Sequence, residues 1–238
     1  MIHPTIATVV SAALAAVVFT LSPGCMTPGP YDAARVGPFF SPVNQAGESS
    51  LGGIRRIVLL PIAGGSLASS EVASALDPVF AGALQLEHRF EIVPLSREEC
   101  LRRFRAEAVS SVASLPADFL TTLGRDFNAE AVLFVDLTVY RAYRPLALGL
   151  RAKLAAIDGG RLIWSFDNVF SADDPAVANA ARHYFLGADR SGVPADLTPA
   201  VLQSPTRFAT YAASAMFATL PPVNPPPVER SHGGASAH

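Results

Sequence analysis

Cysteine is scarce in this chain of 238 residues, which has only Cys25 and Cys100. A dense disulfide framework is excluded, because two thiols make at most one bridge. Charge is also sparse. Only 16% of residues are Asp, Glu, Lys or Arg, and a formal net charge of −2 gives no electrostatic case for nucleic acid. Of five histidines, His3 sits at the amino terminus and His232 and His238 in the carboxyl-terminal tail. The other two, His88 and His183, have no metal-type spacing to each other or to a cysteine. GxGxxG, GxSxG and the Gly-Lys-Ser/Thr ending of a phosphate loop are all missing, so dinucleotide, nucleophile-elbow and P-loop chemistry have no anchor. No cofactor and no small-molecule substrate is indicated.

Apolar residues are plentiful, at 50% of the chain, and 20 prolines gather towards its two ends. From Ile6 to Leu21 the residues are apolar or small and uncharged, and Ser22-Pro23-Gly24-Cys25 follows. This reads as an export signal over 1–24 and resembles the leader of a bacterial lipoprotein, in which Cys25 would be lipidated behind Gly24. Two features depart from that pattern: no Lys or Arg precedes the apolar run, and Pro23 stands where a small residue is usual. An uncleaved anchor, or ordinary signal-peptidase cleavage nearby, stays open. With Cys25 lipidated, Cys100 is a lone thiol, read as buried and inert because Leu101 and Phe104 flank it on a helix.

Residues 25–53 are rich in Pro, Gly and Ser and read as a flexible tether, in which Phe39 and Phe40 either pack back onto the domain, the favoured reading, or mark a contact site. The domain itself is expected over 54–220. Ile57-Val-Leu-Leu-Pro-Ile62 is a strand covered on both faces, and a helix with Val72, Leu76, Phe80 and Leu84 on one stripe follows. Asp77-Pro78 either kinks this helix or starts a second piece. Phe90–Leu95 is the next strand, and Ser96–Glu99 forms a capping box for a helix running to Ala108. A further helix carries Phe119, Leu120, Leu123 and Phe127. Then comes the strongest signal, a meander of Ala131–Arg141, Leu146–Leu154 and Arg161–Asp167. Asp174-Pro175 and Ser204-Pro205 open two last helices, and 221–238 is a Pro-rich tail with too little apolar content to order itself. The expected fold is α/β (α+β): one mixed sheet in the order β-α-β-α-α-β-β-β-α-α, with an antiparallel meander and helices packed on it.

Candidate chemistry is thin. Gly64-Gly65-Ser66 lies between strand and helix but lacks the lysine of a phosphate loop, so it reads as a plain turn. His88 suits a helix end. Asp173-Asp174 and Asp167 invite a carboxylate-pair or metal reading, but Asp174 is already occupied as the cap before Pro175. Asp136 stands mid-strand among apolar residues and is expected to face outward or to pair with Arg151 or Lys153. Arg102, Arg103 and Arg105 make a solvated helix face. Leu162, Trp164 and Phe166 share one strand face, which places Trp164 against the last helix near Phe208, Tyr211 or Ala215.

The lipid-type cysteine, Ile57–Ile62, Phe90–Pro94, Ala129-Glu-Ala-Val-Leu-Phe-Val135 and the turn Asp158-Gly-Gly-Arg-Leu-Ile-Trp164 together resemble a known group. It comprises the curli-secretion lipoprotein, the amino-terminal domain of the Tol-system β-propeller protein, and lipoprotein activators of penicillin-binding proteins. The resemblance implies a non-enzymatic assembly or docking module in the bacterial envelope and transfers no functional residue. The long pore-forming hairpins of the curli protein have no counterpart here. The expectation is a lipid-anchored periplasmic module, held to the membrane through Cys25, that binds another envelope protein or itself. The alternatives are an oligomeric subunit of a secretion complex and an envelope enzyme with no nameable site. Met26 and Thr27 are not the inner-membrane-retaining Asp, which points to the outer membrane.

Overall fold

The computed structural model describes residues 33–188 and 198–224. The leader, Cys25 and the tail from residue 225 lie outside the described residues.

Six strands form a single mixed sheet: β1 (Gln45–Gly47), β2 (Arg56–Leu59), β3 (Glu91–Pro94), β4 (Ala131–Arg141), β5 (Ala147–Ala156) and β6 (Leu162–Ser171). Their spatial order is β1-β6-β5-β4-β2-β3. β2 runs parallel to both β3 and β4, while β4, β5, β6 and β1 pair antiparallel. Seven helices accompany them among the described residues: α1 (Ala33–Val36), α2 (Ser70–Gln85), α3 (Arg97–Phe104), α4 (Phe119–Phe127), α5 (Pro175–Ala188), α6 (Thr198–Val201) and α7 (Pro205–Phe217). Each half of the sheet follows from its sequence. A continuous apolar run makes β2, buried from Ile57 to Leu59, while the edge strand β3 is only half-buried, and alternation makes the meander.

That alternation sorts the core. Ala131, Leu133, Val135 and Leu137 of β4 join Leu150, Ala152 and Leu154 of β5 and the helices α2, α5 and α7 in one large cluster. Val132 and Phe134 point the other way, into a smaller cluster with Cys100 of α3 and Phe119 and Leu123 of α4. The second face is therefore covered only over the parallel half. Towards β6 its positions turn polar: Asp136, Arg151, Lys153, Ser165 and Asp167.

The helix start signals hold. Ser96 and Ser204 each accept a backbone N–H three residues on, and the Ala176 N–H donates to Asp174 at 2.8 Å; Ser69, not singled out in the sequence, caps α2 in the same way. Other expectations need correcting. α2 is one helix through Pro78, and Asp77 is not a cap but a bridge to the strand. α3 stops at Phe104 rather than Ala108, because Arg105 takes a left-handed conformation with φ 59°. The stretch 33–53, read as tether, is pinned to the domain. Gln45–Gly47 pairs with Trp164–Phe166, Leu51 is buried, Phe40 meets Phe170 edge-on, and Phe39 lies 4.5 Å from the His183 ring. Proline and glycine density hid that strand, since three residues are too few for a visible period.

Trp164 is fully buried on the face expected, 6.0 Å from Phe166. Its indole N–H donates to Thr219 at 3.2 Å just past the end of α7, and the ring shares the core cluster of Phe208 and Tyr211. A bulge between β5 and β6 shifts the register at Leu162. Leu162 is exposed and Ile163 buried, the reverse of strict alternation.

Candidate functional site

A cleft of about 570 Å³ opens at the carboxyl ends of β2 and β4. The loop Ala63–Ala68 and the first turn of α2 form one wall, and the 107–112 strap forms another. The floor is Asp136, Leu137 and Thr138 of β4 with Arg151 of β5. The carboxyl ends of parallel strands are where open α/β sheets place ligands. The chain arrives there because β2 leads into α2 on one face, while β3 returns to β4 through α3 and α4 on the other.

Asp136 is only 5% exposed. It stands opposite Arg151 in register, yet takes neither Arg151 nor Lys153 as partner. Both its carboxylate oxygens lie 3.1 Å from the Ser111 backbone nitrogen. Lys153 donates to the carbonyl of the same residue at 3.0 Å. An acid on β4 and a base on β5 thus grip both peptide groups of Ser111 and hold the strap down on the sheet. Arg151 is engaged by Asp167 at 2.8 Å. Glu107 of the strap accepts from the Ser70 hydroxyl at the start of α2, where a carboxylate suits the helix dipole.

Arg97 and Asp77 hold the back of the cleft. Arg97 donates to Asp77 at 2.8 and 3.1 Å and to the Ile62 carbonyl at 2.9 Å, and Asp77 accepts from the Ile62 N–H at 2.9 Å. Sequence reasoning missed this clamp. One signal was available: Arg97 is a cation in the first turn of a helix, where the dipole disfavours it unless a carboxylate is near. The hydroxyls of Ser111 and Thr138 are buried and have no partner within the protein.

The remaining candidates are scattered. His88 follows α2 in a left-handed conformation (φ 52°) and is exposed. His183 lies on α5 with Nδ1 2.9 Å from the Ala34 carbonyl oxygen. Asp173 pairs with Arg141, and Gly64-Gly65 is a turn closed by Leu67 N–H to Gly64 at 3.1 Å. Arg103 bridges Glu99 on α3 to Asp126 on α4 and lies 5.0 Å from the centre of the Phe127 ring. The Arg102 and Arg103 hydrogen bonds hold the Glu99 carboxyl below its ordinary range. Arg103 thus ties two helices together, while Arg102 pairs only within α3. Burial raises the Cys100 thiol from 9.0 to about 11, which leaves it protonated near neutrality. Among the described residues no cluster of three metal-ligating side chains occurs, and no helix is long and apolar enough to cross a membrane.

No protein-family model and no curated protein matches the chain. Solved structures do. The PelC dodecamer from Paraburkholderia phytofirmans aligns with 75% of this chain and 96% of its own, at 15% identity and TM-score 0.42. Lipoprotein GNA1162 from Neisseria meningitidis aligns over 50% and 85%, at 17% and 0.39. The LpoB C-terminal domain from Escherichia coli aligns over 48% and 81%, at 20% and 0.32. LpoB is one of the penicillin-binding-protein activator lipoproteins, so the group that the sequence patterns resemble is met again among the structural neighbours. At these identities and scores the neighbours lend this chain no function.

Proposed function

We propose that the chain is a non-enzymatic, lipid-anchored module of the bacterial envelope that binds or scaffolds another envelope component. The observation that carries this reading is how the cleft's charged groups are committed. Arg97 holds Asp77, Asp136 and Lys153 hold Ser111, Glu107 holds Ser70, and Arg151 holds Asp167. Each fastens one element of the fold to another, and a general acid or base must instead reach a substrate proton. The address comes from the leader: Cys25 carries the lipid, the module faces the periplasm, and the outer membrane is its place.

Docking is expected on faces and loops rather than on the sheet edges. β3 ends at Pro94, which has no N–H to offer an added strand, and β1 is only three residues long.

Fatty-acid labelling of wild type and Cys25→Ala, followed by crosslinked capture from envelope extracts, tests the proposal. Label on wild type alone, with one envelope protein captured reproducibly, is the expected result. Label surviving in Cys25→Ala would discard the anchor. A native mass many times that of the 25.0 kDa chain, with no foreign protein captured, would favour the oligomeric-subunit alternative.

A further inference from the structure

Resting on the reading of Cys25 as the lipid-bearing residue, we propose that the domain lies against the bilayer by its β1–α5 edge, with Val36, Phe39 and Val43 entering the lipid interface. The first argument is reach. A tether over 25–53 could extend roughly 95 Å at about 3.3 Å per residue. The packed body instead begins at Ala33, where α1 contacts α5. Eight residues after Cys25, that point lies at most about 26 Å from the anchor.

The second argument is what this edge presents. Within 33–43 the inward residues are apolar as expected, with Ala34 fully buried and Phe40 packed on the main core. Among the outward ones, which include Arg35 and Ser41, three large apolar side chains stand in water: Val36 is 66% exposed, Phe39 41% and Val43 83%. Three such side chains between positions 36 and 43 make an apolar patch at this edge.

The third argument is charge. Residues 33–47 and the whole of α5 contain no Asp or Glu, so no carboxylate of these segments opposes lipid phosphates. The opposite edge differs sharply: around β3 stand Glu87, Arg89, Glu91, Glu98 and Glu99.

The test uses the full lipidated chain in vesicles of phosphatidylethanolamine and phosphatidylglycerol that contain a headgroup-nitroxide lipid. An environment-sensitive dye is placed on Val36→Cys, Val43→Cys or, as control, Leu86→Cys. Leu86 is 66% exposed, like Val36, but adjoins β3 at the other edge, five strand spacings or about 24 Å away. Cys100 is fully buried and does not compete for the dye. The dye at positions 36 and 43 is expected to shift to the blue and be quenched several-fold more than at 86. Equal quenching at all three positions, with Cys25 carrying label and the protein retained on vesicles, overturns the edge contact and leaves the anchor standing. Loss of fatty-acid label from wild type removes the anchor, and the edge proposal falls with it.

Discussion

The two faces of β4, β5 and β6 share one backbone and meet different surroundings. One face is apolar from β4 to Trp164 and lies wholly under α2, α5 and α7. The other is apolar only where α3 and α4 cover it, and carries Asp136, Arg151, Lys153 and Asp167 beyond them. On the first face stability comes from burial, whose loss is expensive. On the second, polar side chains fasten a strap, and each contact is worth much less. Substitutions placed on either face should therefore differ in cost by several-fold.

The largest effect is expected from Trp164→Ala. Truncating a buried aromatic costs about 3–5 kcal/mol, a large part of a total near 5–15 kcal/mol. Denaturant melts should show the loss, and wild-type emission should be blue and shielded from iodide. Red, quenchable emission with an unchanged midpoint would reverse the assignment of the covered face. Next comes Gly149→Ala, at the bulge where β4 passes from Leu137 to Val139. An added Cβ would stand 2.5 Å from Thr138 Oγ1 and 2.8 Å from the Val139 nitrogen, and overpacking of this kind costs about 1–3 kcal/mol.

Asp136→Ala should cost about 1–2 kcal/mol, because it leaves the Ser111 N–H without its acceptor. The accompanying sign is faster hydrogen exchange at Ser111 and Val112. Asp136→Asn keeps an acceptor oxygen and should restore most of the protection. If both variants lose cellular function while fully folded, Asp136 has a chemical role beyond the strap. Cys100 adds a pH-dependent term. Its folded pKa of about 11 exceeds the ordinary 9.0, so the protein binds this proton more tightly when folded. Stability from this site is complete below pH 9 and falls as pH rises through 11. A thiol reagent at pH 8 should label Cys100 only on unfolding. Arg151→Met is the smallest case. The pair with Asp167 is about a third or more exposed on both sides, so the loss should stay under about 1 kcal/mol and shrink further in salt.

Local rules were legible wherever the deciding contacts lie within a few residues of each other. Ser96, Ser204 and Asp174 cap the helices they precede, and the alternation of Ala131 to Leu137 assigns core faces correctly. The tether is where local reading failed. A three-residue strand such as Gln45–Gly47 has no period of its own, and its partners are more than a hundred positions away. Asp136 failed differently: register puts Arg151 opposite it and Lys153 on the diagonal, but Asp167 and the Ser111 carbonyl took those cations.

The sequence by itself determined the order of the main elements, the apolar face of the meander and the burial of Trp164 and Cys100, because propensity, capping and periodicity act over short distances. Only the tertiary structure decided where the packed body starts, what Asp136 holds and which face of the sheet stays open. Those outcomes depend on which distant segments compete for the same strand edge or the same charged group, and no spacing along the chain records that competition.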